Sequence, residues 1–134
     1  MPDPITGEGF DAPLPDAAYA AAPGLHREMR EVIALAAQYD ARRSEPTAST
    51  HAAQRLYWLR RAALLDRLAL DDGGDGHAHQ AAAQSAQMLA RFDAGHPEMV
   101  AGYYGPGSPQ WFLSHRPYVR QEYAAWTAAG CPGT

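Results

Sequence analysis

The chain has 134 residues, 46% apolar and 19% charged, which is enough for one domain and too few for two independent cores. A formal charge of −4 with a pI near 5.8 gives no overall attraction to nucleic acid or to anionic membranes. A single cysteine, Cys131, excludes an internal disulfide and a multi-cysteine metal site.

All 11 basic residues are arginine and there is no asparagine, the bias of a GC-rich coding sequence, so the arginine enrichment alone does not signal phosphate recognition. Alanine fills 28 positions, a composition that favours closely packed helices. The first residues lack the basic start and apolar stretch of a secretory signal, and no apolar run reaches the roughly 20 residues of a membrane span. The expectation is a cytoplasmic, reducing setting.

Residues 1–24 hold five prolines, three glycines and four acidic residues. That mixture predicts a disordered or extended N-terminal arm whose Phe10, Leu14 and Tyr19 either lie on the folded part or meet a partner. The remaining residues, 25–130, are expected to form a single helical domain. Its first helix should start near Pro23 to Leu25 and run to about Arg43, with Leu25, Met29, Val32, Ala36 and Tyr39 on one face and Ile33 and Leu35 widening it.

From His51 to Leu70, HAAQRLYWLRRAALLDRLAL, apolar residues surround nearly the whole helix, predicting a central helix packed on more than one side. Ser49 or Thr50 is the expected cap. Two narrow polar seams remain, one with Arg60 and Arg67, the other with Arg55 and Asp66. Arg61 falls inside the apolar arc and should cross the core edge toward Glu122 or Glu98. The run Asp71-Asp72-Gly73-Gly74-Asp75-Gly76 ends this helix, and the third follows from about His77 to Ala94 with Ala78, Ala82, Ala86, Leu89 and Phe92 inward.

Seven of the 13 aromatic residues then fall between Tyr103 and Trp126. Ser108 and Pro109 should open a short helical turn, and a last helix from about Pro117 to Ala129 aligns Val119, Tyr123 and Trp126. Two readings of this stretch stay open. Trp111, Phe112, Tyr123 and Trp126 pack across the bundle, or part of the cluster is exposed and forms a protein-binding surface of Tyr103, Tyr104 and Trp111 flanked by Arg116 and Arg120.

The loop DDGGDGHAH resembles a metal site only superficially. A calcium loop opening at Asp71 would need glutamate where Ala82 stands, and His77, His79 and Asp75 fall short of a zinc set. No nucleophile elbow or phosphate loop is present, and Ser114 and His115 have no local triad. No metal and no cofactor is therefore expected.

The phrases QRLYWLRRAALLDRLAL, YGPGSPQWF and RPYVRQEYAAW resemble small uncharacterised helical proteins of high-GC actinobacteria, some of which travel with mobile or conjugative elements. The resemblance spans roughly residues 29–126. It implies a helical accessory protein and carries no catalytic or binding residue with it.

The fold expected is all-α: a three-helix antiparallel core closed by the aromatic segment and a short fourth C-terminal helix. The function expected is a non-enzymatic accessory or adaptor protein that binds another protein or itself through its aromatic and arginine surface. One alternative is a DNA-associated regulator using Arg55, Arg60 and Arg67. The other is a small-ligand bundle with Trp58, Trp111 and Tyr123 lining its pocket.

Overall fold

A computed structural model describes residues 1–42 and 48–134, and every regular element among them is helical. The elements are α1 (Pro15–Ala18), α2 (Leu25–Arg42), α3 (Ala48–Asp71), α4 (Gly76–Gly95) and α5 (Arg116–Ala128), with 3-10 turns at Pro97–Met99 and Pro109–Phe112. Helix α3 starts at Ala48, so Ser49 and Thr50, the expected cap positions, lie within its first turn. The residues just before that turn, 43–47, lie outside the described part.

Helix α3 packs against α2, α4 and α5, as its many-sided apolar surface requires. The core is not the triad of α2, α3 and α4 expected from the sequence. Its buried cluster joins Leu59, Ala62 and Ala63 of α3 to Ala86, Leu89 and Ala90 of α4 and to Tyr118, Val119, Tyr123 and Trp126 of α5, with Trp111 closing it. Helix α2 flanks α3 from outside. Its inward position is taken by Glu28, which is buried, while Met29 and Ile33 turn to solvent, because Glu28 reaches the guanidinium of Arg60 at 2.7 Å.

Helices α3 and α4 are joined by Asp72 to Asp75, a connection so short that the two pack antiparallel. Asp75 caps α4 by accepting from the amides of His77 and Ala78 at 3.0 and 3.2 Å. The small residues Ala82 and Ala86 are fully buried, letting the α4 backbone approach the bulkier α3 closely.

Helix α5 is the most enclosed element, with every residue from Arg116 to Tyr123 buried. It ends in a Schellman motif. The amide of Cys131 donates to Trp126 O at 3.0 Å and that of Gly130 to Thr127 O at 3.1 Å, with Gly130 at φ +87°, a conformation that glycine adopts without a Cβ penalty.

The N-terminal arm lies on this bundle. Phe10 stacks on Trp111 at 6.2 Å and 16°, and Tyr19 meets Tyr123 edge-on at 5.2 Å while its hydroxyl donates to Asp66 at 2.6 Å. Ala18 of α1 is buried and Leu14 is exposed. No described helix is long and apolar enough to cross a membrane.

Candidate interaction surface

The polar seams of α3 face inward. Arg55 donates from Nε and Nη2 to the two carboxylate oxygens of Asp93 at 3.0 and 2.8 Å, and from Nη2 to Glu122 at 2.7 Å. The Tyr118 hydroxyl donates to Asp93 at 2.6 Å. Arg60 pairs with Glu28 and, at 3.4 Å, with Glu31, and its guanidinium lies 5.3 Å from the Trp126 ring. Asp66 takes Arg116 Nε at 2.6 Å and Arg120 Nε and Nη2 at 2.9 Å.

Glu28, Asp66, Asp93 and Glu122 are all buried, so each carboxylate depends on its arginine for charge compensation. Burial together with the neighbouring carboxylate holds three phenols above the ordinary tyrosine range: Tyr19 beside Asp66, Tyr118 beside Asp93 and Tyr123 beside Glu28.

This burial corrects two expectations. Arg116 and Arg120 do not flank an exposed aromatic surface, because both guanidinium groups are drawn under it by Asp66. Arg55 and Arg60 form no outward basic face, being paired with carboxylates inside, while Arg67 sits half-buried with its guanidinium 5.8 Å from the Tyr19 ring. The arginine that reaches Glu122 is Arg55, not Arg61, which stays half-exposed, and Glu98 is at the surface.

Above the network lies the segment between the turn at Pro97–Met99 and α5, and α5 fastens it. Glu122 accepts from the amides of Ala101 and Gly102, both at 2.7 Å. Gln121 accepts from the Tyr104 amide at 3.2 Å and donates to the Tyr104 carbonyl at 2.7 Å. Further along, Trp111 Nε1 donates to Gly105 O at 2.9 Å, and His115 Nε2 lies 3.1 Å from Pro106 O. The segment has little regular structure, yet four side chains, Glu122, Gln121, Trp111 and His115, hold its backbone.

Its outer side is apolar. Tyr103 is 90% exposed and Phe112 91%, with Leu113 half-exposed. Of the three aromatics expected at a partner surface, Tyr103 is free, Tyr104 is partly covered and Trp111 is buried in the core. Phe112, expected in the core, is outside. Tyr103 and Tyr104 meet edge-on at 4.8 Å and wall a shallow depression with Gln121, whose other wall is the arm segment Phe10 to Pro13. Gln121 and Glu122, which hold the loop, were not singled out from the sequence.

The ligand pocket imagined between Trp58, Trp111 and Tyr123 does not form. Trp111 and Tyr123 are packed in the core, and Trp58 packs with Tyr39 and Tyr57. A separate groove of about 460 Å³ runs between α2, α3 and the C-terminal tail, lined by Tyr39, Leu56, Leu59, Met99, Trp126 and Pro132 among others.

Among the described residues no three metal-ligating side chains converge. His79, one of the loop histidines, has Nε2 3.0 Å from Gly73 O and Nδ1 2.9 Å from Arg116 Nη1, so both ring nitrogens are engaged. Asp75 is the helix cap. Family models, curated proteins and solved structures give no match to the chain.

Proposed function

We propose that this chain is a non-enzymatic accessory or adaptor protein that binds a protein partner through the loop bearing Tyr103, Tyr104, Phe112 and Leu113. One observation supports the reading above the rest. Tyr103, about nine-tenths exposed, sits on a backbone clamped by Gln121, Glu122 and Trp111, and a second ring exposed to the same degree, Phe112, follows the buried Trp111. Exposing large rings is unfavourable for an isolated chain, and holding the backbone around Tyr103 lowers the ordering cost of association. Aromatic anchors of this kind dominate protein interfaces.

The setting that fits is the cytoplasm, where Cys131 stays a thiol. An adaptor role also agrees with the accessory character that the resemblance implies.

The test is site-specific photo-crosslinking in cells of the source organism, with benzoylphenylalanine placed at Tyr103 and, as control, at the exposed Gln84 of α4. A discrete crosslinked species from position 103 and none from 84 is expected. Identical patterns from both positions, or none from 103, would overturn the reading.

A further inference from the structure

The arm is acidic throughout: residues 1–24 contain Asp3, Glu8, Asp11 and Asp16 and no lysine, arginine or histidine. It lies over the end of the bundle where Arg116 and Arg120 grip the carboxylate of Asp66 and the Arg67 guanidinium lies over the Tyr19 ring. Gly7 lies beside Arg120. A Cβ built on it would stand 3.5 Å from Arg120 Nη1 and 3.2 Å from Leu14, and its φ is +87°.

From Gly7 the chain crosses the aromatic surface. Phe10 lays its ring on Trp111. The Tyr104 hydroxyl donates to the Asp11 carboxylate, and the Asp11 amide donates to Gln110 Oε1 at 2.9 Å. Ala12 packs on the core cluster and Pro13 closes the depression opposite Tyr103. Three properties of a bound peptide are thus present in a segment without regular structure: an aromatic anchor, a carboxylate taken by a hydroxyl donor, and a backbone amide taken by a side chain. Asp11 itself is exposed and Phe10 only half-buried, so the grip is local.

We propose that residues 9–13 are an internal occupant of the interaction surface, and that the partner presents an aromatic residue followed directly by a carboxylate residue to displace them. This rests on the protein-binding reading above and gives its partner a chemistry. The Trp111 and Tyr104 faces that Phe10 and Asp11 cover become the binding site, while Tyr103, already free, supplies the first contact. The arm then acts as a competitor that sets how acidic and aromatic a partner must be. Being tethered, it competes at an effective concentration on the order of millimolar.

The experiment uses the full chain and a labelled peptide of residues 6–14, TGEGFDAPL, followed by fluorescence anisotropy. The wild-type chain should bind it only weakly. The full chain carrying Phe10→Ala and Asp11→Ala, whose surface is vacated, should bind it at least about tenfold more tightly, because the tethered competitor is removed. A peptide with alanine at both positions should bind neither chain.

Adding Tyr104→Phe to the opened chain, which removes the hydroxyl donor, should weaken binding again. If the double variant does not fold, Asp11→Asn, which keeps the ring stack, takes its place in the same titration. Equal affinity for wild-type and opened chains, or none for the opened chain, would overturn the internal-occupant inference. Crosslinking at Tyr103 is a separate readout, so failure here leaves a distinct signature from failure of the protein-binding reading.

Discussion

Asp66 of α3 and Arg120 of α5 meet edge to edge in the core, Nε to Oδ2 and Nη2 to Oδ1, both at 2.9 Å. Arg116 and Tyr19 complete the carboxylate's partners. Asp66→Asn keeps the shape and removes the charge that two buried guanidinium groups need. Breaking a buried pair by deleting one partner costs about 3–5 kcal/mol. Urea unfolding should show a midpoint shift of that size with an unchanged m-value, and a loss below 1 kcal/mol, in the range of about 0–1 kcal/mol that surface pairs contribute, would mean the cluster is solvated.

Leu59 is 1% exposed and belongs to the central cluster, whereas Leu65, on the same helix, is only partly buried. Leu59→Ala should cost about 2–5 kcal/mol, the range for a core leucine whose cavity does not collapse. Leu65→Ala should cost clearly less. Thermal melts of the two variants side by side decide it, and equal losses would contradict the packing of α3.

At Gly102 the obstacle is contact and not backbone conformation. A Cβ there would overlap the Gln121 side chain, the group that holds both the amide and the carbonyl of Tyr104. Gly102→Ala should therefore push Gln121 off Tyr104, at about 1–3 kcal/mol as for other overpacked sites. Hydrogen exchange should accelerate at the Tyr104 amide while the amides in the middle of α4 remain protected. Uniform acceleration would show global destabilisation instead.

Three of the seven tyrosines are held above the ordinary tyrosine value by burial first. The second cause is Asp66 for Tyr19, the hydrogen bond to Asp93 for Tyr118, and Glu28 for Tyr123. A folded value above the unfolded one, about 10, means that the protonated phenols favour the fold. Their contribution is complete below about pH 10 and is lost as pH rises through the folded values. In an alkaline titration followed by phenolate absorbance, these three should ionise only together with unfolding. All seven ionising in a still-folded protein would contradict the buried network.

Helix order, the turn opened by Ser108 and Pro109, and the aromatic face of α5 were legible in the sequence because periodicity and turn residues are local signals. The direction of the polar seams was not. An arginine beside leucines reads as solvent-facing until its partner is known, and Asp93 and Glu122 lie 38 and 67 positions from Arg55. A weaker trace was present all the same. Asp66 lies on the stripe of Leu59, Ala62, Ala63 and Ala69, and Asp93 on that of Ala86, Leu89 and Ala90, so a carboxylate recurring at the apolar spacing marked an internal ion pair.

The same long-range trace was absent for the loop. Tyr103 and Phe112 are residues of a kind that fills cores, yet both are exposed, Tyr103 on the backbone that Gln121 and Glu122 clamp. Trp111, one residue away, faces the opposite way because its indole finds Gly105 O inside. Adjacent aromatics on irregular backbone carry no period from which a side can be assigned.

The enclosure of α5 also dictates how the molecule comes together and apart. Asp66 waits for Arg116 and Arg120, so the α3–α4 hairpin alone, although its Arg55–Asp93 pair is complete, would hold a carboxylate whose cationic partners are still missing. The carboxylate and arginine pairs thus tie α5 to α3 and, through Arg55, which also holds Asp93, to α4, and the last helix acts as a keystone more than as a lid. Native-state exchange should therefore show α3, α4 and α5 opening as one cooperative unit, with the arm opening at a lower free energy.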